Sequence, residues 1–159
     1  MVSFKNYTQL VRFLREQKIK IATAESCTGG LISKLITDVP GSSGVFIGGV
    51  VSYSNAMKTH WLKVSPETLM RDGAVSETVV AEMLTGIVRE TNATLAIAVS
   101  GIAGPGGGTP EKPVGTVFIG VKFNANAMVR RYQFPGTRHK IRLMAADKAL
   151  HMAAEILSQ

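Results

Sequence analysis

Apolar residues recur along this chain at two spacings, and the spacing changes several times. Tyr7, Leu10, Val11 and Leu14 stand at i, i+3, i+4 and i+7, the pattern of one helix face. Ile19 to Thr23 then reads as a short strand, ending where Ala24-Glu25-Ser26-Cys27-Thr28-Gly29-Gly30 begins. Leu31, Ile32 and Leu35 predict a helix that Pro40-Gly41 stops. From Val45 to Tyr53 the apolar run is nearly continuous, which predicts a strand buried on both faces. Its Gly48-Gly49 pair marks a bulge or a close backbone approach. Ser65-Pro66-Glu67 puts a capping serine before a proline, so a short helix is expected to start there. Ser76 is a candidate cap for the next helix, whose Val80, Met83, Leu84 and Ile87 form an apolar stripe.

Thr94 to Val99 reads as a strand, followed by a glycine-rich loop from Ser100 to Gly108. Val114 to Val121 and Met128 to Tyr132 read as adjacent strands joined through Asn124 and Asn126. Past Pro135-Gly136, Thr137 is placed to cap a last helix whose Leu143, Ala146, Leu150, Ala153 and Leu157 share a face. Helices and strands intermingle, with a hairpin near the end. The pattern predicts an α/β fold: a single three-layer α/β/α domain with a mixed β-sheet over residues 1–159.

Composition narrows the picture. A chain of 159 residues, 45% hydrophobic, can bury a core without disulfides or metal. Cys27 is the only cysteine, which excludes an internal disulfide and any multi-cysteine metal cluster. That suits a reducing cytoplasm, the expected location. Charged residues interrupt the long apolar stretches outside glycine-rich strands, so no membrane association is expected. The net charge of +7, from 18 basic and 11 acidic side chains, favours an anionic partner. Lys and Arg are scattered rather than clustered among aromatics, which favours a small phosphorylated molecule over nucleic acid.

Three polar or glycine-bearing segments fall where strands end, the usual place for α/β binding sites. In the first, Ser26 leaves a strand and enters a helix, beside backbone amides that can stabilise negative charge. Gly29 and Gly30 let the backbone come close to a ligand. The same residues also read as a simple helix start, with Ser26 or Thr28 as cap. In the second, Tyr53-Ser54-Asn55-Ala56-Met57-Lys58, a partly desolvated Lys58 can act as a base, directly or through the Tyr53 phenol. Serine–lysine pairs are a variant of the serine–histidine–aspartate arrangement. An ordinary surface lysine fits the spacing as well.

The third segment, from Ser100 to Gly108, can expose amides to an oxyanion or a phosphate. It is neither a dinucleotide fingerprint nor a Walker A loop. Arg138 and Arg142 stand one helical turn apart and can hold a phosphate, or be solvated helix residues. His60, His139 and His151 fall at no ligand spacing, so no metal is expected. Cys27 is a rival nucleophile without an obvious histidine partner and reads as a packing residue.

Taken together, six stretches resemble the CinA carboxy-terminal family. They are AESCTGG at Ala24 to Gly30, TDVPGSS at Thr37 to Ser43, YSNAMK at Tyr53 to Lys58, DGAVSE at Asp72 to Glu77, SGIAGPGGGTPEKPVGTV at Ser100 to Val117, and FPGTR at Phe134 to Arg138. Stand-alone members of that family are nicotinamide-nucleotide amidohydrolases. The resemblance implies hydrolysis of nicotinamide mononucleotide to nicotinic acid mononucleotide and ammonia, without a cofactor. It implies Ser26 as nucleophile, with Tyr53 and Lys58 as activating partners. Thr28, Gly29, Gly30, Ser100 and Gly101 would line the substrate, and Arg138 and Arg142 would face its phosphate. It also implies a homo-oligomer, a dimer in the simplest case. The alternatives are a nucleotide-binding module without turnover and an amidase for another carboxamide.

Overall fold

The computed structural model describes residues 2–159. Its elements in chain order are α1 (Tyr7–Glu16), β1 (Ile21–Glu25), α2 (Leu31–Thr37), β2 (Phe46–Val51), α3 (Asn55–Leu62), α4 (Pro66–Asp72), α5 (Glu77–Thr91), β3 (Leu95–Gly101), β4 (Thr116–Phe123), β5 (Asn126–Gln133) and α6 (Arg138–Ile156). The five strands form one sheet in the order β2-β1-β3-β4-β5. β1 runs parallel to β2 and to β3. The β3–β4 and β4–β5 pairs are antiparallel, the last two strands making the expected hairpin. The sheet is therefore mixed, and helices cover both of its faces.

Two apolar cores lie on those faces. On one, Leu10 and Leu14 of α1, Ile32 and Ile36 of α2, and Ile141, Ala145 and Met152 of α6 pack against Ile21, Ile97 and Ile119. On the other, Leu62 of α3 and Val80, Met83 and Leu84 of α5 pack against Ala22, Ala24, Ala96 and Ala98. The alternation of side chains along each strand divides the two cores, one residue in each pair serving either layer. Among the described residues, no helix is long and apolar enough to cross a membrane.

The structure corrects two of these expectations. β2 is an edge strand, not one buried on both faces, and its residues alternate between half-buried and exposed. An apolar run gives no direct signal of how many neighbours a strand has, and two of its six residues are glycines. Both readings of Gly48-Gly49 hold. The β1–β2 register shifts between Ile21 and Ala22, opposite Phe46 and Gly48. A methyl group on Gly49 would lie 2.3 Å from Thr23 Oγ1 and 2.5 Å from Ser33 Oγ.

Leu143 does not share the buried face of α6. It is 42% exposed, whereas Ile141 and Ala145 on either side are buried. So many alanines of this helix are buried that its inward stripe is broad, and the leucine lies outside it.

Helix α3 carries no apolar stripe to announce it. Its two buried residues are Leu62 and Lys58, one turn apart, and the inward position taken by a lysine hides the helical period. Ser54 caps it by accepting from Met57 N–H. Through this helix the lysine reaches the interior beside the ends of the parallel strands.

Candidate active site

β1 and β3 deliver Ser26 and Ser100 at their C-terminal ends, and β2 leads into Ser52, Tyr53 and the start of α3. Three parallel strands thus open onto one crevice. Across it, the Lys58 ammonium donates to Ser26 Oγ at 2.9 Å and to the Ser52 carbonyl at 2.7 Å. Lys58 is 1% exposed and Ser26 7%. Among the described residues no carboxylate bonds the lysine; its partners are a hydroxyl and a carbonyl. Burial disfavours the charged form and lowers its pKa to about 8. The arrangement puts a readily deprotonated amine against a hydroxyl.

The turn that holds Ser26 depends on Glu25, a residue that no motif or spacing had singled out. This fully buried carboxylate accepts from the N–H groups of Gly30, Ile32 and Ser33 and from Ser33 Oγ, at 2.8–3.1 Å. It therefore occupies the positive end of α2. Neither Ser26 nor Thr28 caps this helix; the N-cap position is Gly30, with φ +92 and no side-chain bond. The expectation that these helix amides are free for a substrate anion is corrected, because an internal carboxylate already fills them.

Among the described residues, the N–H groups of Cys27 and Thr28 donate to no protein acceptor. Those are the donors left beside the serine. Cys27 itself is buried, and burial pushes its thiol up to about 12. At neutral pH it is a thiol, not a thiolate.

A cavity of about 280 Å³ opens from this pair. Ser26, Lys58 and Cys27 form one end, and Tyr53, Arg138, Gly106 and Gly107 contribute further along. Ala74, Val75 and Ile102 give it apolar wall. Ser100 and Gly101 border it, but the Ser100 hydroxyl donates to the Ala74 carbonyl at 2.7 Å. That bond fixes the wall. Gly101 has no room for a side chain, since a methyl there would lie 2.7 Å from Val117 and 3.0 Å from Cys27 Sγ.

The two arginines part company. Arg138 lines the cavity and donates to the Gly104 carbonyl at 2.8 Å and to Tyr53 Oη at 2.6 Å. Arg142 does not line it; its guanidinium donates to the carbonyls of Cys27 and Thr28 at 3.1 and 2.8 Å. Arg142 thus braces the backbone of the serine turn from behind. Tyr53 is 57% exposed, and its hydroxyl accepts from Arg138 instead of bonding Ser26 or Lys58. Thr28 is fully buried and its hydroxyl has no partner among the described residues, and Gly29 and Gly30 face Arg142 and Val51 rather than the cavity. Of the residues expected at the site, the cavity gathers Ser26, Tyr53, Lys58, Ser100, Gly101 and Arg138, and leaves out Thr28, Gly29, Gly30 and Arg142.

An open mixed α/β sheet with a buried serine–lysine pair at its parallel strand ends describes the class of this domain. Residues 4–157 match the model of the CinA C-terminal domain, and the chain belongs to that family. It is 53% identical over 141 residues to a CinA-like protein of Thermotoga maritima, a match covering 89% of this chain and 34% of that protein. A CinA-like protein of Akkermansia muciniphila is 51% identical over 142 residues, with the same coverage. The chain spans about a third of the length of these curated relatives.

Among solved structures, the competence damage-inducible protein A of Klebsiella pneumoniae superposes with a TM-score of 0.92 at 35% identity. That match covers 98% of this chain and 99% of the other. The competence/damage inducible protein CihA of Agrobacterium tumefaciens gives 0.90 at 38% identity over the whole of both chains.

Proposed function

We propose that this domain hydrolyses the carboxamide of nicotinamide mononucleotide, giving nicotinic acid mononucleotide and ammonia. The observation that carries the reading is the buried Lys58 Nζ at 2.9 Å from Ser26 Oγ. A lysine with its pKa lowered to about 8 can take a proton near neutral pH, which an exposed one cannot. A binding module has no need of such a pair.

In the first step Ser26 Oγ attacks the carboxamide carbon and its proton passes to Lys58 Nζ. The carbonyl oxygen becomes an oxyanion. The Cys27 N–H, directly after the nucleophile, is the donor the turn leaves for it, an interaction of about 3–4 kcal/mol in comparable sites. The C–N bond then breaks as Lys58 returns the proton to nitrogen, and ammonia leaves. Water adds to the acyl ester, giving its proton to Lys58. The C–Oγ bond breaks, and Ser26 recovers its proton from the lysine.

Arg138 and the Gly106-Gly107 turn carry the charge and the amides suited to the phosphate end of the substrate. Tyr53 holds Arg138 in place at the mouth. Ammonia release is the direct test, measured on nicotinamide mononucleotide, its riboside and free nicotinamide. The mononucleotide should be the best substrate by a wide margin, and Ser26→Ala should release none. Tight binding of the mononucleotide with no ammonia from the wild type would leave a sensor rather than an enzyme.

A further inference from the structure

A lysine ammonium has three N–H donors. Two of those of Lys58 have acceptors, Ser26 Oγ and the Ser52 carbonyl. The third has none among the described residues, and Lys58 lines the cavity. The other ionisable side chains lining it are Cys27, Tyr53 and Arg138, so no carboxylate stands in the cavity. Glu25, in the serine turn, is taken up by the first amides of α2. On α5, which packs against α3, Glu82 accepts from Ser65 N–H and the Thr68 hydroxyl. Glu90 and His60 border a separate groove. The protonated lysine is thus a buried cation with a spare hydrogen and no counter-ion, an arrangement that an anionic ligand relieves.

We propose that this end of the cavity is a carboxylate site whenever Lys58 carries its proton, so that the enzyme holds its acid product more tightly than its amide substrate. The identity of that acid rests on the hydrolysis proposed above. A carboxylate accepts at both oxygens, whereas a carboxamide accepts at one and donates through its NH2. With one oxygen on the Cys27 N–H, the other end of either group meets Lys58. Against an ammonium, the carboxylate finds a charge-assisted bond and the amide sets donor against donor. Against a neutral amine the order reverses, because the nitrogen lone pair receives the amide NH2 and repels an oxygen anion. One proton on one side chain therefore exchanges the ligand that the site prefers, and the product acts as a competitive inhibitor on the acid side of about pH 8.

Titration calorimetry with nicotinic acid mononucleotide and nicotinamide mononucleotide tests this. The two share ring, ribose and phosphate, so contacts with Arg138 and Tyr53 cancel in the comparison. The Cys27 thiol, with its pKa pushed up to about 12, does not titrate in the range used. Ser26→Ala, which cannot turn over the amide, takes both ligands, and the wild type takes the acid. At pH 7 the acid should bind roughly ten- to hundredfold more tightly than the amide. Above pH 8 that lead should shrink by about tenfold per pH unit. At pH 9, buffers of different ionisation heat should show that the acid binds with uptake of about one proton and the amide with none. Lys58→Met should abolish both the preference and its pH dependence.

Equal affinities at pH 7 overturn the proposal. So does acid binding without proton uptake at pH 9, a preference that survives Lys58→Met, or an acid that does not bind. If Lys58→Met loses its circular dichroism, the proton uptake of the wild type decides the matter alone. Ammonia release is read separately. A wild type that releases none, yet prefers the acid with proton uptake, fails as an amidohydrolase and keeps its carboxylate site.

Discussion

Lys58 is a charge placed where α3 would ordinarily bury a leucine, and its consequences can be worked out separately for rate and for stability. Burial lowers its pKa to about 8, so below that pH the lysine is mostly protonated in the folded protein. In the proposed mechanism the neutral amine is the reactive form, so kcat/KM should rise with pH through about 8 and level off above. Lys58→Met should remove that rise together with most of the rate. For stability, the folded pKa lies below the unfolded one of 10.5. Between those two values the unfolded chain holds the extra proton, and stability rises with pH. Across pH 8 to 10.5 the wild type should therefore gain about 2–3 kcal/mol relative to Lys58→Met in urea unfolding. A constant difference would mean that the lysine is not desolvated as its burial implies.

The arginines give a second test at the same scale, since one lines the cavity and the other braces the turn behind it. Arg138→Ala should raise KM for the mononucleotide roughly ten- to hundredfold and change kcat little. The phosphate-free riboside should lose almost nothing further. Arg142→Ala frees the Cys27 and Thr28 carbonyls and loosens the serine turn. It should lower kcat on both substrates and leave their ratio near the wild-type value. An equal effect of both arginines on the substrate ratio would return Arg142 to the phosphate.

At the scale of elements, strand and helix identities were largely legible in the chain, because α1 and α5 show clean helical periods and Asn124 and Asn126 mark the β4–β5 hairpin. Ser65, Ser76 and Thr137 do cap their helices. Beyond the edge position of β2 and the outward turn of Leu143, two features were hidden by one cause: a polar residue facing inward. Lys58 concealed α3, and Glu25 concealed the capping of α2, since neither type signals burial. Ser26 and Lys58 stood out as candidates from sequence, but their contact across 32 positions of chain is a product of packing. Two substitutions probe these supports. Glu25→Gln keeps the shape but turns an amide NH2 toward backbone donors, and should destabilise the fold by about 2 kcal/mol in urea unfolding. Gly86→Ala would put a methyl 2.2 Å from the Leu62 carbonyl, driving α3 away from α5. It should destabilise by about 1–3 kcal/mol. Because α3 carries Lys58, it should also lower kcat more than it raises KM.

At the scale of the whole molecule, the mixed sheet sets a buried pair and a cationic mouth at one end of the parallel strands, within a chain of net charge +7. The field of that charge should draw the mononucleotide, whose phosphate outweighs its single pyridinium charge, toward the protein before any contact forms. It reaches far at low salt, where the screening length is about 30 Å at 0.01 M, and little at 0.5 M, where it is below about 10 Å. With the proposed substrate, kcat/KM should therefore fall severalfold between those salt concentrations, while kcat at saturation stays level. Nicotinamide riboside, which lacks the phosphate, supplies the internal control, and its kcat/KM should not fall with salt. Arg138→Ala removes one charge of the eighteen basic side chains, so it should weaken the mononucleotide without abolishing its salt dependence. That pattern separates long-range attraction from the local contact at the mouth. If the mononucleotide and the riboside respond to salt alike, the net charge does not act on substrate capture, and its role lies in keeping the remaining surface of the protein from self-association.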